Sequence, residues 1–167
     1  MNLRYCLECA QPQTQLTVTE YTCPQNHRYY NNPHAAVCII FLRGSKILVS
    51  KRGIEPNKGM YDLPGGFFEY NEDTFDAAIR EIKEETSVEL LRENLELITA
   101  YTGEYLPNVS VVDLVVLAKE WTGTFTPDDD SEALEWKPFS FVDDPEFSPD
   151  YPGFRKLIES LADSMQN

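Results

Sequence analysis

The residues of this sequence best suited to chemistry are three glutamates, Glu81, Glu84 and Glu85, which lie within one turn of a predicted helix. Because successive helical residues turn by about 100°, the three carboxylates share one face beside the apolar side of the helix. Like charges at these spacings destabilise a helix by roughly a few tenths of a kcal/mol per pair. A divalent cation with oxygen ligands would remove that cost, and the simpler alternative is a solvated acidic face.

The helix that carries these acids is predicted from Glu72 to about Glu85, with Asn71 at the N-cap position. Its apolar residues recur at the i, i+3, i+4 and i+7 spacing of one helix face: Phe75, Ala78, Ile79 and Ile82. The segment 63–66 reads Leu-Pro-Gly-Gly, and its glycines allow a sharp turn that brings a backbone carbonyl toward the acids. Loop and helix therefore form one pattern.

This pattern resembles the Nudix box, G-x5-E-x7-R-E-U-x-E-E-x-G-U, in which U is an apolar residue. The matching positions are Gly66, Glu72, Arg80, Glu81, Ile82, Glu84, Glu85 and Val88. One fixed position departs, because Ser87 stands where the box has its final glycine. We expect a reshaped or slightly strained helix cap at Ser87 and an unaltered acidic face.

The resemblance implies a fold, an activity and a cofactor. The fold class is α/β, with a mixed β-sheet sandwiched between α-helices. The activity is hydrolysis of a pyrophosphate bond in a nucleoside diphosphate linked to another group. The cofactor is Mg²⁺ or Mn²⁺, which clustered carboxylates would hold to shield phosphate charge and activate water. The implied metal ligands are Glu81, Glu84, Glu85 and the carbonyl of Gly65, while Arg80 and Glu72 would orient the set.

The resemblance leaves the catalytic base open. In the family the base is either a box glutamate or an acid on a later loop. Such a loop acid often precedes the aromatic residue that begins the last strand, here Trp136, which favours Glu132 or Asp130. The alternative is that these acids belong to a solvated loop.

A second group of chemically suited residues lies near the start of the sequence. Cys6 and Cys9, thirteen further residues, and then Cys23 and His27 give two pairs of soft ligands, the arrangement of a tetrahedral structural zinc. The segment resembles the zinc ribbon that precedes some Nudix domains, including NADH pyrophosphatases. Because Asn26 stands where the fourth cysteine would be, either His27 completes a Zn²⁺ site or the site is degenerate.

Several residues are candidates for contact with the substrate. Segment 34–58 is basic within an acidic protein, which makes Arg52 a candidate phosphate-facing residue unless these charges only protect strand edges. Tyr105 and Phe68 are candidates for stacking on a base, although aromatic residues near strands are more often part of the core. Diadenosine polyphosphates and ADP-sugars both fit family patterns near Tyr105, and neither pattern decides the substrate.

Further elements must hold these residues in place. Segments 35–42 and 46–51 are predicted strands joined by a short turn at 43–45, and strands are also expected at 95–105, 110–121 and 135–142. Segment 124–131 is an expected acidic loop, and 153–165 is an expected amphipathic helix. We therefore divide the chain into a zinc-ribbon-like segment, 1–33, and a Nudix domain, 34–167.

Composition limits the partners of the protein. The 167 residues carry a formal charge of −14, which opposes nucleic-acid binding over the whole surface. No apolar run approaches the roughly 20 residues of a membrane-spanning helix, so a membrane location is not expected. We expect a cytoplasmic enzyme acting on a small-molecule nucleotide, with a homodimer possible. The alternative function is a non-catalytic or RNA-directed Nudix module in which the ribbon docks a partner.

Overall fold

The structure is a computed structural model that describes residues 4–17, 19–107, 109–127 and 131–165. Asp130, one of the two candidate loop bases, lies outside these described residues. Neither of the two α-helices within them is long and apolar enough to cross a membrane.

The first part of the chain forms a small antiparallel sheet of three strands. Its strands are β1 (Thr14–Gln15), β2 (Glu20–Thr22) and β3 (Arg28–Tyr30), and they pair in chain order. Only Cys6, Tyr21 and Cys23 are buried apolar residues among the described positions before strand β4. A segment with so few buried residues gains little from the hydrophobic effect, so its fold needs another source of stability.

Eight strands in two sheets make up the rest of the β-structure. They are β4 (His34–Ile40), β5 (Leu42–Arg43), β6 (Lys46–Arg52), β7 (Tyr61–Asp62), β8 (Gly65–Phe67), β9 (Leu95–Leu106), β10 (Val109–Ala118) and β11 (Ser131–Pro138). One sheet has the order β8-β4-β10-β9, and the other has the order β11-β6-β5 with β7 paired to β6. Strands β10 and β4 are parallel, whereas the other neighbours within these sheets are antiparallel. The sheets are therefore mixed.

Two α-helices cover opposite sides of these sheets. Alternate residues of β4 explain this arrangement, because side chains along a strand point to opposite faces. Val37 and Ile39 pack in a core cluster with helix α1 (Thr74–Thr86), whereas Cys38 and Ile40 pack in another cluster with helix α2 (Phe154–Met165). The predicted α/β class and its helix-covered mixed sheet are confirmed.

The start of helix α1, the bounds of the last strand and two short strands differ from what the sequence predicts. Helix α1 begins at Thr74, so the predicted N-cap Asn71 is wrong, and Asp73 caps the helix by accepting hydrogen bonds from the N–H groups of Phe75 and Asp76. The last strand is Ser131–Pro138 rather than 135–142, because a 3₁₀ helix, Phe139–Asp143, follows it. Strand β7, which ends just before the Leu-Pro-Gly-Gly segment, and strand β8, which contains its two glycines, were not predicted.

Candidate active site and metal centres

Arg80 of helix α1 is the centre of a hydrogen-bond network among the predicted site residues. Its Nε and Nη2 donate to the two carboxylate oxygens of Glu72 at 2.6 and 2.9 Å. Its Nη1 donates to Glu81 at 2.8 Å and Glu84 at 3.1 Å, and Nη2 also donates to the carbonyl of Phe67 at 2.9 Å. One guanidinium group therefore joins the helix acids to strand β8.

The two glycines of the loop place backbone against the acidic helix. Gly65 has a φ of +142°, and a Cβ there would lie 2.0 Å from the carbonyl oxygen of Val37. A Cβ on Gly66 would lie 2.5 Å from Oε1 of Glu81. The N–H of Gly65 also donates to Oε2 of Glu85 at 3.0 Å. The absence of a side chain at 66 thus allows Glu81 to approach the loop, and its absence at 65 allows the loop backbone to lie against strand β4.

The acids of this network differ in their electrostatic state. Burial raises the pKa of Glu81, as do the negative charges of Glu84 and Glu72, while Arg80 opposes that rise. In contrast, the hydrogen bonds from Arg80 lower the pKa of Glu72. The ionised form of Glu81 is therefore disfavoured unless a cation lies nearby, which fits a ligand of a divalent metal.

The box glutamates do not converge as tightly as the cysteine cluster does. Among the described residues, the group of three or more Cys, His, Asp or Glu ligand atoms within 4.8 Å of one another is Cys6, Cys9, Cys23 and His27. Glu81 and Glu84 instead turn toward Arg80, and Glu85 turns toward Gly65. Like charges repel, so each carboxylate takes a donor from the chain. The donor set, oxygen atoms beside a backbone turn, nevertheless fits Mg²⁺ or Mn²⁺.

A cavity of about 570 Å³ opens beside this network. The predicted residues that line it are Gly65, Glu81, Glu85, Arg80, Arg52, Phe68 and Tyr105. Arg52 donates to the carbonyl of Pro56 at 2.7 Å and contacts Asp62 at 3.4 Å, which leaves its guanidinium at the cavity wall. The structure thus brings the three predicted substrate contacts to the cavity that borders the acidic helix.

Glu132, the predicted loop base, lies elsewhere. It belongs to strand β11 and forms an ion pair with Lys51 at 3.6 Å, outside the residues that line the cavity. Its neighbour Ser131 lines the cavity, and so does Arg52 next to Lys51. Strands β11 and β6 shift register at Glu132, since Ser131 pairs with Arg52 and Ala133 pairs with Lys51. At this irregularity the side chain of Glu132 pairs with Lys51 rather than lining the cavity.

A polar cluster inside the cavity was not predicted from the sequence. The hydroxyl of Tyr151 donates to Asp113 at 2.9 Å and lies 3.4 Å from the sulfur of Cys38. Burial raises the pKa of Asp113, and it raises that of Asp62 to about 6. A signal was available for Asp113, since it is the one charged residue within the apolar run of strand β10.

The four residues predicted to hold zinc come together. The Sγ of Cys6 lies 3.5 Å from Nδ1 of His27, and the Sγ atoms of Cys9 and Cys23 are 3.7 Å apart. A hydrogen bond from the backbone N–H of Cys9, with further ones from Glu8 and His27, lowers the pKa of Cys6 to about 6. Three sulfurs and one imidazole form a donor set that fits Zn²⁺.

Comparison with known proteins identifies the family. The model of the NUDIX domain matches residues 32–161, which is most of the chain. The chain belongs to the NUDIX family. The predicted Nudix pyrophosphohydrolase is confirmed at the level of the family, whose members use divalent metals and act on small nucleotide substrates.

Three relatives illustrate the similarity. An ADP-ribose pyrophosphatase of Methanocaldococcus jannaschii is 34% identical over 113 residues, which are 67% of this chain and 66% of that protein. An NAD-capped RNA hydrolase, NudC, of Pseudomonas putida is 33% identical over 89 residues, 52% of this chain and 32% of that protein. The crystal structure of a MutT NUDIX hydrolase from Burkholderia pseudomallei is 28% identical, covers 77% of this chain and 97% of that chain, and has a TM-score of 0.63. The matched part of the chain thus spans slightly less than two thirds of the archaeal relative and about a third of the bacterial NudC.

The NUDIX chain carries its one departure from the box at the end of helix α1. Ser87 is the C-cap residue and has a φ of +57° and a ψ of +15°, the left-handed region in which glycine is favoured. The helix ends where the box glycine would end it, and Glu84 and Glu85 stay within its last turn. The expected strained cap is confirmed.

Proposed function

We propose that this protein hydrolyses the pyrophosphate bond of a nucleoside diphosphate linked to another group, a dinucleotide or a nucleotide sugar. The observation that carries the proposal is the contact between Gly66 and Glu81, where only a hydrogen atom fits between the loop backbone and the carboxylate. That contact fixes an acidic cluster at the wall of a cavity large enough for a nucleotide. Similarity to an ADP-ribose pyrophosphatase and to NudC supports this substrate class.

The proposed metal ligands are Glu81, Glu84, Glu85 and the carbonyl of Gly65, with Mg²⁺ or Mn²⁺ as the cofactor. Bound there, the cation would shield phosphate charge and lower the pKa of water. Arg80 and Glu72 hold the acidic side chains in position through the hydrogen bonds described above. Arg52 would bind phosphate, and Phe68 and Tyr105 would contact the base.

The general base is proposed to be a box glutamate. Glu85 lines the cavity, whereas Glu132 forms its ion pair with Lys51 outside the lining. A base must come within hydrogen-bond reach of the water that it deprotonates. Glu132 is the second candidate. It lies at the start of strand β11, next to residues 128–130, which are outside the described part of the chain.

The amino-terminal cluster is proposed to be a structural zinc site completed by His27. Its four ligand atoms lie within 4.8 Å of one another, and the segment around them buries few apolar residues. Zinc binding would supply the folding free energy that this segment otherwise lacks. The boundary between ribbon and NUDIX domain near residue 33, the cytoplasmic location and the possible homodimer stay predictions.

Turnover of a substrate panel tests the proposed activity. ADP-ribose, NAD⁺, NADH, ADP-sugars, UDP-sugars, diadenosine polyphosphates and nucleoside triphosphates are compared with and without Mg²⁺. We expect Mg²⁺-dependent hydrolysis of one class, and Glu84→Gln and Glu85→Gln each lower kcat by orders of magnitude without unfolding the protein. Glu159→Gln is the matched control, since Glu159 is an exposed residue of helix α2 that pairs with Arg155. Unchanged turnover in both box variants contradicts the proposal.

The second candidate function is hydrolysis of an RNA cap. The 33% identity to NudC over 89 residues and the cysteine cluster favour this function. The net charge of −14 opposes it, because a negative protein repels the phosphate backbone of RNA. The same assay with NAD-capped RNA and free NAD⁺ at equal concentration separates the two functions. A kcat/KM for capped RNA well above that for NAD⁺ would favour the RNA substrate. A folded protein without turnover of any substrate would favour a binding module.

A further inference from the structure

Two carboxyl groups of the cavity have no part in the proposed chemistry. Asp113 comes from strand β10 of one sheet, and Asp62 comes from strand β7, which pairs with β6 of the other sheet. Both line the cavity that also contains Glu81 and Glu85. Burial is the main cause of the raised pKa of Asp62, and the negative charge of Asp113 adds to it. Two acids thus occupy the part of the site between the sheets.

The charge of this part of the cavity is negative. Away from the box acids, segments 52–62 and 104–151 contribute four acidic residues and one basic residue to the lining. The acidic ones are Asp62, Glu104, Asp113 and Asp150, and the basic one is Arg52. Arg52 is itself in contact with Asp62 at 3.4 Å. A substrate group that carries an additional phosphate or carboxylate would be repelled there, whereas a neutral or cationic group would be accepted.

Both acids keep acceptor positions beyond their bonds to the chain. The two oxygens of Asp62 each accept one hydrogen bond, from the N–H of Leu63 and from Arg52. Asp113 receives one hydroxyl donor, from Tyr151, and an ionised carboxylate offers about four acceptor positions on its two oxygens. Tyr151 is held in turn by stacking on Tyr101 with ring centroids 4.5 Å apart. Asp113 is therefore a positioned acceptor on a rigid strand, which suits an N–H donor of the substrate.

The shape of the adjoining wall suits a planar ring. Gly103 of strand β9 lines the cavity, and a Cβ there would meet only a methyl group of Val111 at 3.9 Å. Phe67 and Tyr105 contact each other edge to face, with centroids 5.0 Å apart, on the same lining. An open stretch of wall with aromatic residues beside it can accept a heterocycle, since aromatic rings stack on heterocyclic bases.

We propose that Asp62 and Asp113 are specificity-determining residues that select a substrate with an amino group on a planar ring and reject one with an oxygen or an added negative charge there. This inference rests on the proposed function, because it names the group attached to the pyrophosphate. The amino group is either the exocyclic amine of adenine or the carboxamide of nicotinamide. Both donate two N–H bonds in the plane of the ring.

Two substrate pairs distinguish these sources. ADP-ribose is compared with its hypoxanthine counterpart, IDP-ribose, which has a carbonyl oxygen in place of the amine. NAD⁺ is compared with nicotinic acid adenine dinucleotide, which has a carboxylate in place of the carboxamide. We expect kcat/KM to favour the amino-bearing member of at least one pair by about tenfold or more, because a site that pairs polar groups rejects an analogue that leaves them unpaired. The preferred pair identifies the ring.

Variants of the two acids test their role. Asp113→Asn keeps an acceptor for Tyr151 and presents an N–H₂ group, so we expect the preference for the amino-bearing substrate to fall by about fivefold or more, chiefly through KM. Asp62→Asn is the second variant, with a fall in the same direction. Asp143→Asn is the matched control, since Asp143 is exposed and pairs with Arg155 outside the cavity, and it keeps the preference of the wild type. Melting temperatures show whether each variant is folded.

The outcomes separate the inference from the proposed function. Equal kcat/KM within each pair, or a preference unchanged by both variants, overturns the inference and leaves the hydrolase intact. If none of the four substrates is hydrolysed, the proposed function fails for this class, and calorimetric titrations with mononucleotides decide the inference alone. Binding of AMP over IMP, or of nicotinamide mononucleotide over its nicotinic acid form, by about fivefold supports it, and equal or undetectable binding overturns it.

Discussion

Arg80 binds both oxygens of Glu72, with Nε and Nη2 at 2.6 and 2.9 Å from Oε1 and Oε2. The two side chains are only 21% and 15% exposed, so this bidentate pair is shielded from solvent. The pair raises the pKa of Arg80, first through Glu72, and leaves Nη1 directed at Glu81 and Glu84. The arginine therefore sets where two predicted metal ligands lie.

Replacement of Arg80 by lysine tests this positioning role. A lysine has a single ammonium group and cannot bind Glu72, Glu81 and Glu84 with the fork geometry of a guanidinium group. We expect Arg80→Lys to lower kcat by about 10- to 100-fold and to raise the Mg²⁺ concentration needed for half-maximal rate, with a smaller change in KM. Arg155→Lys, at an exposed arginine with two acidic partners, is the control and should behave as the wild type. An unchanged Mg²⁺ requirement would show that Arg80 does not orient the ligands.

The two neighbouring glycines should respond differently to alanine. A Cβ at Gly66 meets the carboxylate end of Glu81, which is flexible and can move, so we expect Gly66→Ala to fold while kcat falls by about tenfold or more. A Cβ at Gly65 meets the backbone oxygen of Val37, and φ at this position is +142°. We therefore expect Gly65→Ala to lose several degrees of melting temperature or to be insoluble. Calorimetry and turnover measure both variants, and a Gly66→Ala enzyme of full activity contradicts the expected contact.

Features that depend on residues close together in the chain could be predicted from the sequence, whereas features that depend on distant residues could not. Helix α1 and the shared face of Glu81 and Glu84 follow from local spacing, since helical periodicity determines which side chains share a face. The fold class and the orienting role of Arg80 were implied by the resemblance to the Nudix box. The N-cap was misplaced because Asn71 and Asp73 both suit that position, and the choice depends on where the chain leaves strand β8.

The residues that the sequence analysis missed are joined by long-range contacts. Asp113 meets Tyr151, 38 residues later, and Cys38 meets the same hydroxyl across 113 residues. No local pattern contains such pairs, because they depend on the pairing of β4 with β10 in one sheet and on where the segment before helix α2 packs. The position of Glu132 is likewise set by strand pairing, because it lies where β11 shifts register against β6 and its side chain pairs with Lys51.

The free energy of unfolding of the protein should depend on pH through the ionisation of Asp62. Burial raises the pKa of this carboxyl from 3.8 to about 6, so the folded protein binds its proton more tightly than the unfolded chain does. The contribution of Asp62 to the free energy of unfolding is therefore greatest below pH 3.8 and declines as pH rises to about 6. Relative to the wild type, the free energy of unfolding of Asp62→Asn should be higher at pH 7.5 than at pH 5 by about 1 kcal/mol. The figure is reduced because a quarter of the side chain is exposed. Urea unfolding at both pH values measures it, and a constant difference would show an ordinary pKa.

The cysteine cluster should make the amino-terminal segment dependent on metal. The amino-terminal sheet has little core, and a closed tetrahedral site formed by Cys6, Cys9, Cys23 and His27 would supply its stability. We expect about one zinc per chain by elemental analysis, and cleavage within residues 4–33 by trypsin only after chelation. Cys9→Ser should lose the zinc and become sensitive without a chelator, whereas Cys38→Ala, at the buried cysteine of strand β4, should keep the zinc of the wild type. If Cys9→Ser and the wild type contain equal amounts of zinc, the metal binds elsewhere. If the wild type contains no zinc and still resists trypsin, the segment folds through its sheet alone.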